Sequence, residues 1–181
     1  RYATRYLIGD GVDIGSGPDQ LLQYQEFFPL MRSCRPWDLG DGDAELMQGV
    51  ANDSLDFAHS SHCLEHMKDP KRALENWLRI LKPGGHLVCL VPDEDLYEQG
   101  YWPSRFNSDH KLTFTLKSEK SWSPVSFNIL DTQVEFPEKR EDLIPLNGQV
   151  GIKMKYPEFS LVNRLSSKES AVDVIFEVII D

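Results

Sequence analysis

The sequence has few cysteines, no long apolar run and a shortage of positive charge, and each lack excludes something. Cys34, Cys63 and Cys89 are an odd number with no CxxC pair, so they form neither a disulfide framework nor a zinc-finger cluster. Their scarcity makes a reducing cytoplasm the expected location. No stretch approaches the ~20 apolar residues of a membrane-spanning helix, and a membrane is not an expected partner. Lys and Arg number 19 against 29 Asp and Glu, a formal charge of -10. A phosphate backbone needs local cations, so nucleic acid is not an expected partner either. Internal repeats are absent.

What is present is ordinary globular composition. A chain of 181 residues, 40% hydrophobic and 27% charged, fits one domain with a single core, taken as residues 1–181. Gly11 to Gly17 is an apolar run ending in glycines, the pattern of a buried strand breaking into a tight turn. Asp19 to Phe28 spaces Leu21, Leu22, Tyr24, Phe27 and Phe28 as a helical face closed by Pro29. Ser33 to Asp38 reads as a strand weakened by Pro36, and Leu55 to Ser60 as a buried one. Pro70 to Leu81 is the clearest helix. Asp69 is its N-cap, Pro70 its first residue, and Ala73, Leu74, Trp77, Leu78 and Leu81 its apolar stripe. Glu75 and Arg79 pair on the opposite face. Lys82 to Gly85 turns the chain into a strand from His86 to Val91. Apolar strands alternating with helices predict an α/β fold, a mostly parallel sheet in three layers. Ala171 to Ile180 reads as a last strand.

Gly15-Ser16-Gly17 after a strand suggests a cofactor turn, but a dinucleotide fingerprint wants a third glycine where Gln20 stands. Asp13, two residues before the first glycine, repels a pyrophosphate. A nicotinamide cofactor is disfavoured on both counts. The same carboxylate favours a cofactor that presents an ammonium group, as S-adenosylmethionine does.

Four segments in order, Val12–Gly17, Gly42–Glu45, Ser54–His66 and Arg79–Gly85, resemble the class I S-adenosylmethionine-dependent methyltransferases of the type 11 group. The resemblance implies a Rossmann-like fold with an antiparallel C-terminal strand. It assigns Asp13, Gly15, Ser16 and Gly17 to the cofactor turn, Asp38 to the ribose hydroxyls, and Asp43 and Ala44 to the adenine. Ser60 and His62 match the strand end facing the sulfur and the substrate. One departure stands out: the family places a helix between the ribose acid and the adenine acid, and only four residues separate Asp38 from Asp43. Ser60 to His66 further resembles a subgroup found near polysaccharide and nucleotide-sugar genes.

Other chemistry is sparser. His62 and His66 lie four apart, but the HExxH order is absent and no metal site is expected. His66 reads as a packing or capping residue. His110 is the candidate general base outside the fold's core, with His62 as the second. Tyr97, Tyr101, Trp102, Phe106, Phe114, Trp122 and Phe127 crowd residues 93–130, which suits a lid or substrate segment. The expected function is methyl transfer from S-adenosylmethionine to an oxygen or nitrogen of a small-molecule acceptor, a sugar or polysaccharide precursor among the candidates. The alternative is a non-catalytic partner or regulatory module of the same fold.

Overall fold

A computed structural model describes residues 5–115 and 120–129, together with the backbone of residues 171–172. The elements are β1 (Gly9–Ile14), β2 (Met31–Trp37), β3 (Leu55–Ser61), α1 (Pro70–Arg79), β4 (Leu81–Pro92), β5 (Thr113–Thr115), β6 (Ser126–Asn128) and β7 (Ala171–Val172). The main sheet has the order β2-β1-β3-β4-β7. β1 lies between β2 and β3, β3 lies beside β4, and all these pairings are parallel. β7 pairs antiparallel with Val91 and Pro92. The remainder of the strand expected over 171–180 lies outside the described residues, as do residues 138–170. β5 and β6 form a separate parallel pair.

Alternation along the strands divides the buried apolar residues between two clusters. One gathers Val12, Ile14, Ala58, Leu87 and Cys89 with the α1 stripe of Ala73, Leu74, Trp77 and Leu78. The other gathers Leu7, Leu21, Met31, Cys34, Phe57 and Val88. All three cysteines are buried and free; burial pushes the thiols of Cys34 and Cys63 up to about 12. Pro36 is tolerated because β2 is an edge strand, where a missing N–H breaks no central ladder.

Two sequence expectations fail locally. The helix over 19–28 is a 3-10 stretch, Leu21–Phe27, interrupted at Tyr24. Of its apolar residues only Leu21 is buried, while Leu22, Tyr24 and Phe27 are exposed, so no apolar face exists to hold an α-helix against the sheet. Arg79 does not face solvent beside Glu75. Its guanidinium donates to the carbonyls of Val50 at 2.9 Å, Met47 at 3.2 Å and Leu46 at 3.5 Å, and to Asn52 Oδ1 at 2.8 Å. The helix itself forms as expected, with the Asp69 carboxylate accepting from the Arg72 amide at 3.0 Å.

The short Asp38–Asp43 spacing holds a turn. No helix intervenes; Asp41 closes a tight turn, its amide donating to the Asp38 carbonyl at 2.7 Å. Residues 38–54 then return to the start of β3 as a loop strapped to α1 by Arg79. Replacing Arg79 with Ala leaves several loop carbonyls without their donor, and charged hydrogen bonds contribute roughly 1.5–3 kcal/mol each. Arg79→Ala should lower unfolding free energy by about 2–4 kcal/mol, measured by denaturant titration.

A second expectation concerns acid. The Asp10 amide, then the Lys82 ammonium, hold the Asp56 carboxyl below its ordinary range. A carboxylate whose folded pKa is depressed stabilises above its unfolded value, ~3.9, and loses that contribution as pH falls through the folded value. Asp56→Asn should therefore flatten the acid limb of the stability–pH curve below about pH 4.

Candidate functional site

A cavity of about 810 Å³ opens where β1, β2 and β3 end. Its walls come from three stretches of chain: Gly15 and Gly17 after β1, Trp37 to Leu46 after β2, and His62 to Lys68 after β3. Arg72, Asp109 and Lys111 complete it. Parallel strands release their loops on one side, which is why residues distant in sequence meet here.

The turn after β1 has backbone that L side chains rarely adopt, with φ of 72° at Gly15 and 53° at Gly17. A Cβ on Gly15 would lie 2.5 Å from Cys63 Sγ, so packing as well as conformation requires glycine there. A Cβ on Gly17 would meet no atom within 4 Å. That open side is room for a ligand's backbone approach. Between them the Ser16 hydroxyl is buried and without a hydrogen-bond partner.

The loop after β2 is held from behind. Asp43 Oδ1 accepts from the Glu45 amide at 2.8 Å, and the Ala44 carbonyl accepts from Trp77 Nε1 at 2.9 Å. Glu45 Oε2 accepts from the amides of Lys68 and Asp69 at 3.0 and 3.2 Å. Trp77 is thus both core, as its place in the stripe suggests, and the anchor of the loop that carries Asp43. The sequence had no signal for that second role, because an indole reads only as apolar bulk.

Asp38, Asp43, Ala44, Gly15, Gly17 and His62 all line the cavity. Ser60, fully buried on β3, does not. Neither does Asp13. Its carboxylate accepts from the Leu21 amide at 2.7 Å through Oδ2 and from His59 Nδ1 at 2.7 Å through Oδ1. The side chain is 4% exposed, so it ties the glycine turn to β3 instead of presenting charge to a ligand. His110 is also turned away: its ring is buried, with Nδ1 donating to Glu98 Oε1 at 2.8 Å and Tyr97 packed 5.0 Å from it. Its neighbours Asp109 and Lys111 reach the cavity in its place. Lys68, Arg72 and Lys111 supply cations that the acidic composition concealed.

Residues 9–123, more than half of the chain, match a family model described as "Methyltransferase domain". The chain belongs to the methyltransferase-domain family. A 37.1 kDa protein of transposon TN4556 from Streptomyces fradiae is 45% identical over 42 residues, 23% of this chain and 12% of that protein. A S-adenosylmethionine-dependent methyltransferase structure from Archaeoglobus fulgidus is similar at 18% identity and TM-score 0.48, covering 61% of this chain and 57% of that one. One from Mesorhizobium loti is similar at 21% identity and TM-score 0.44, over 54% and 55%. The methyltransferase domain thus spans about half the length of these solved relatives and far less of the transposon protein.

Family membership brings S-adenosylmethionine as the cofactor, and the cavity fits it. Gly17 leaves space for close approach, and Asp38 and Asp43 place carboxylates, which accept hydrogen bonds, on the wall; Ser16, with its buried hydroxyl, does not line the cavity. The ordering role of Asp13 has a consequence for mutants. Asp13→Ala leaves the His59 ring and the Leu21 amide without their acceptor and should cost about 2–3 kcal/mol of stability, seen in denaturant melts whether or not any ligand is present.

Proposed function

We propose that this domain transfers a methyl group from S-adenosylmethionine to an oxygen or nitrogen of a small-molecule acceptor. The observation that carries the reading is the meeting of Gly15, Gly17, Asp38, Asp43 and His62 around one cavity at the strand ends. The cofactor supplies an electrophilic methyl on a sulfonium. The chain's task is then to bind, orient and exclude water, since correct positioning alone can lower a barrier by ~7–11 kcal/mol.

Roles divide along the cavity. The glycine turn admits the amino-acid end, Asp38 accepts from ribose hydroxyls, and Asp43 with Ala44 receives the adenine. His62 sits where β3 ends and packs 6.5 Å from Tyr97, whose ring also meets Phe106 at 5.7 Å. This aromatic shelf, within residues 93–130, suits the face of a sugar or small ring. An acceptor hydroxyl must lose its proton as the new O–C bond forms, and His62 is the cavity residue suited to take it. The charge of -10 favours a small acceptor over a phosphate backbone.

Calorimetric titration with S-adenosylhomocysteine should show one saturable site, and NAD none. Gly17→Val fills the open side of the turn and should weaken that binding at least tenfold with the fold retained, judged by circular dichroism. A folded wild-type protein that ignores S-adenosylhomocysteine sinks the reading. Once an acceptor is found by screening sugars and small phenols, His62→Ala should lower kcat by about 100-fold or more, with cofactor affinity little changed.

A further inference from the structure

Behind the His62 wall of the cavity lies a group of side chains that methyl transfer does not use. Glu65 is fully buried, and neither of its carboxylate oxygens has a hydrogen-bond partner. The nearby Glu94 and Glu98 each accept hydrogen bonds, although Glu98 Oε2 is itself buried without a partner. Glu94 Oε2 accepts from Thr113 Oγ1 at 3.0 Å and Ser126 Oγ at 2.6 Å, and Glu98 Oε1 accepts from His110. An unsatisfied buried carboxylate is costly, and Glu65 has two such oxygens where a structure tolerates few.

What faces it is a pair of oriented histidines. His66 Nδ1 donates to Asp109 Oδ2 at 2.9 Å, and His110 Nδ1 donates to Glu98 Oε1 at 2.8 Å. Each ring therefore keeps Nε2 as its free lone pair. His110 Nε2 lies 3.9 Å from Glu65 Oε1, and the two rings meet edge to face at 5.1 Å. One ligand atom from each of Glu65, His66 and His110 falls within 4.8 Å of the others. A tetrahedral site with ~2.0 Å bonds spaces its ligands by about 3.3 Å, so small side-chain rotations close the group around an ion. His62 Nδ1 stands 3.3 Å from Glu65 Oε1 on the cavity side. A histidine whose far nitrogen donates to a carboxylate is the arrangement by which proteins aim imidazoles at metals. Here two histidines have it, around one carboxylate that lacks partners.

We propose that Glu65, His66 and His110 form a mononuclear site for a divalent transition metal of the zinc type in the wall of the cavity. Two imidazoles and one carboxylate suit Zn²⁺, Co²⁺ or Mn²⁺ and disfavour Mg²⁺, which prefers an all-oxygen shell. Three protein ligands leave a coordination position open. Resting on the methyl-transfer reading, that position serves an acceptor oxygen, since His66 and His62 line the same cavity. The sequence expectation of no metal came from seeking HExxH; the ligands instead come from an adjacent Glu-His pair and a histidine 44 positions on.

The test is equilibrium dialysis of chelator-stripped full chain against Zn²⁺, with Mg²⁺ as control and Co²⁺ absorption as a reporter of tetrahedral coordination. One equivalent of Zn²⁺ should bind, with Mg²⁺ excluded. Glu65→Gln and the partly exposed His66→Ala should each weaken Zn²⁺ at least 100-fold. Asp109→Asn, which weakens the carboxylate that orients His66 and also pairs with Lys111 at 3.7 Å, should weaken it about 10–100-fold. Should Glu65→Gln fail to fold, the other two variants decide. No uptake by the wild type, or equal uptake by folded variants, overturns the site. S-adenosylhomocysteine binding by the stripped protein is measured separately, so loss of the metal proposal would leave the cofactor reading standing.

Discussion

The cavity depends on a loop that has no secondary structure of its own to satisfy its backbone. Residues 38–54 carry the chain from the end of β2 back to the start of the parallel strand β3, and a buried carbonyl without a donor is unfavourable wherever it occurs. Arg79 resolves this by spreading one guanidinium over Leu46, Met47 and Val50, and Trp77 does the same for Ala44. Both donors come from the last turns of α1. The planar fork of arginine can serve several acceptors at once, which a lysine in its place could not. Because α1 is locked to the sheet by its buried stripe, the loop inherits the rigidity of the core.

That arrangement explains how the loop holds its side of the cavity. Where the family has a helix between the two acids, this chain has a turn of four residues between Asp38 and Asp43. The turn is closed by Asp41 and both acids remain on the cavity wall. The loop that follows takes hydrogen bonds for its carbonyls from α1. Position of the carboxylates, not the element that carries them, is what ligand binding needs.

Much of this was legible in the sequence. The strands and α1 stand out because their apolar spacing is the direct cause of their burial. The glycine turn stands out because left-handed backbone at Gly15 and Gly17 favours glycine, and at Gly15 Cys63 also leaves no room for a side chain. The directions of polar side chains were not legible. Asp13 reads as a ligand for positive charge until the Leu21 amide and His59 are seen to consume both its oxygens. His110 reads as a general base outside the core, yet its neighbours in Asp109-His110-Lys111 take the cavity and the imidazole is buried. Period counting cannot assign sides in an irregular segment, since the backbone there repeats neither every two residues nor every 3.6. The 19–28 segment failed for a different reason: its apolar residues are spaced for a helix, but only Leu21 is buried and Phe28 partly so, while Leu22, Tyr24 and Phe27 are exposed.

Burial of acids ties these observations together. The chain's formal charge suggests a surface that repels anions, but Asp13, Glu65, Glu94 and Glu98 lie inside. Three of the four are matched to donors at 3.0 Å or less. Each such match fixes a neighbouring element: Asp13 fixes the glycine turn, Glu94 fixes β5 to β6, and Glu98 fixes the ring of His110. The Glu65 carboxylate alone lacks hydrogen bonds, and it is the one placed among imidazoles already oriented by other carboxylates. An interior acid that builds no local structure while its neighbours are held in position around it has the character of a ligand, not of a scaffold.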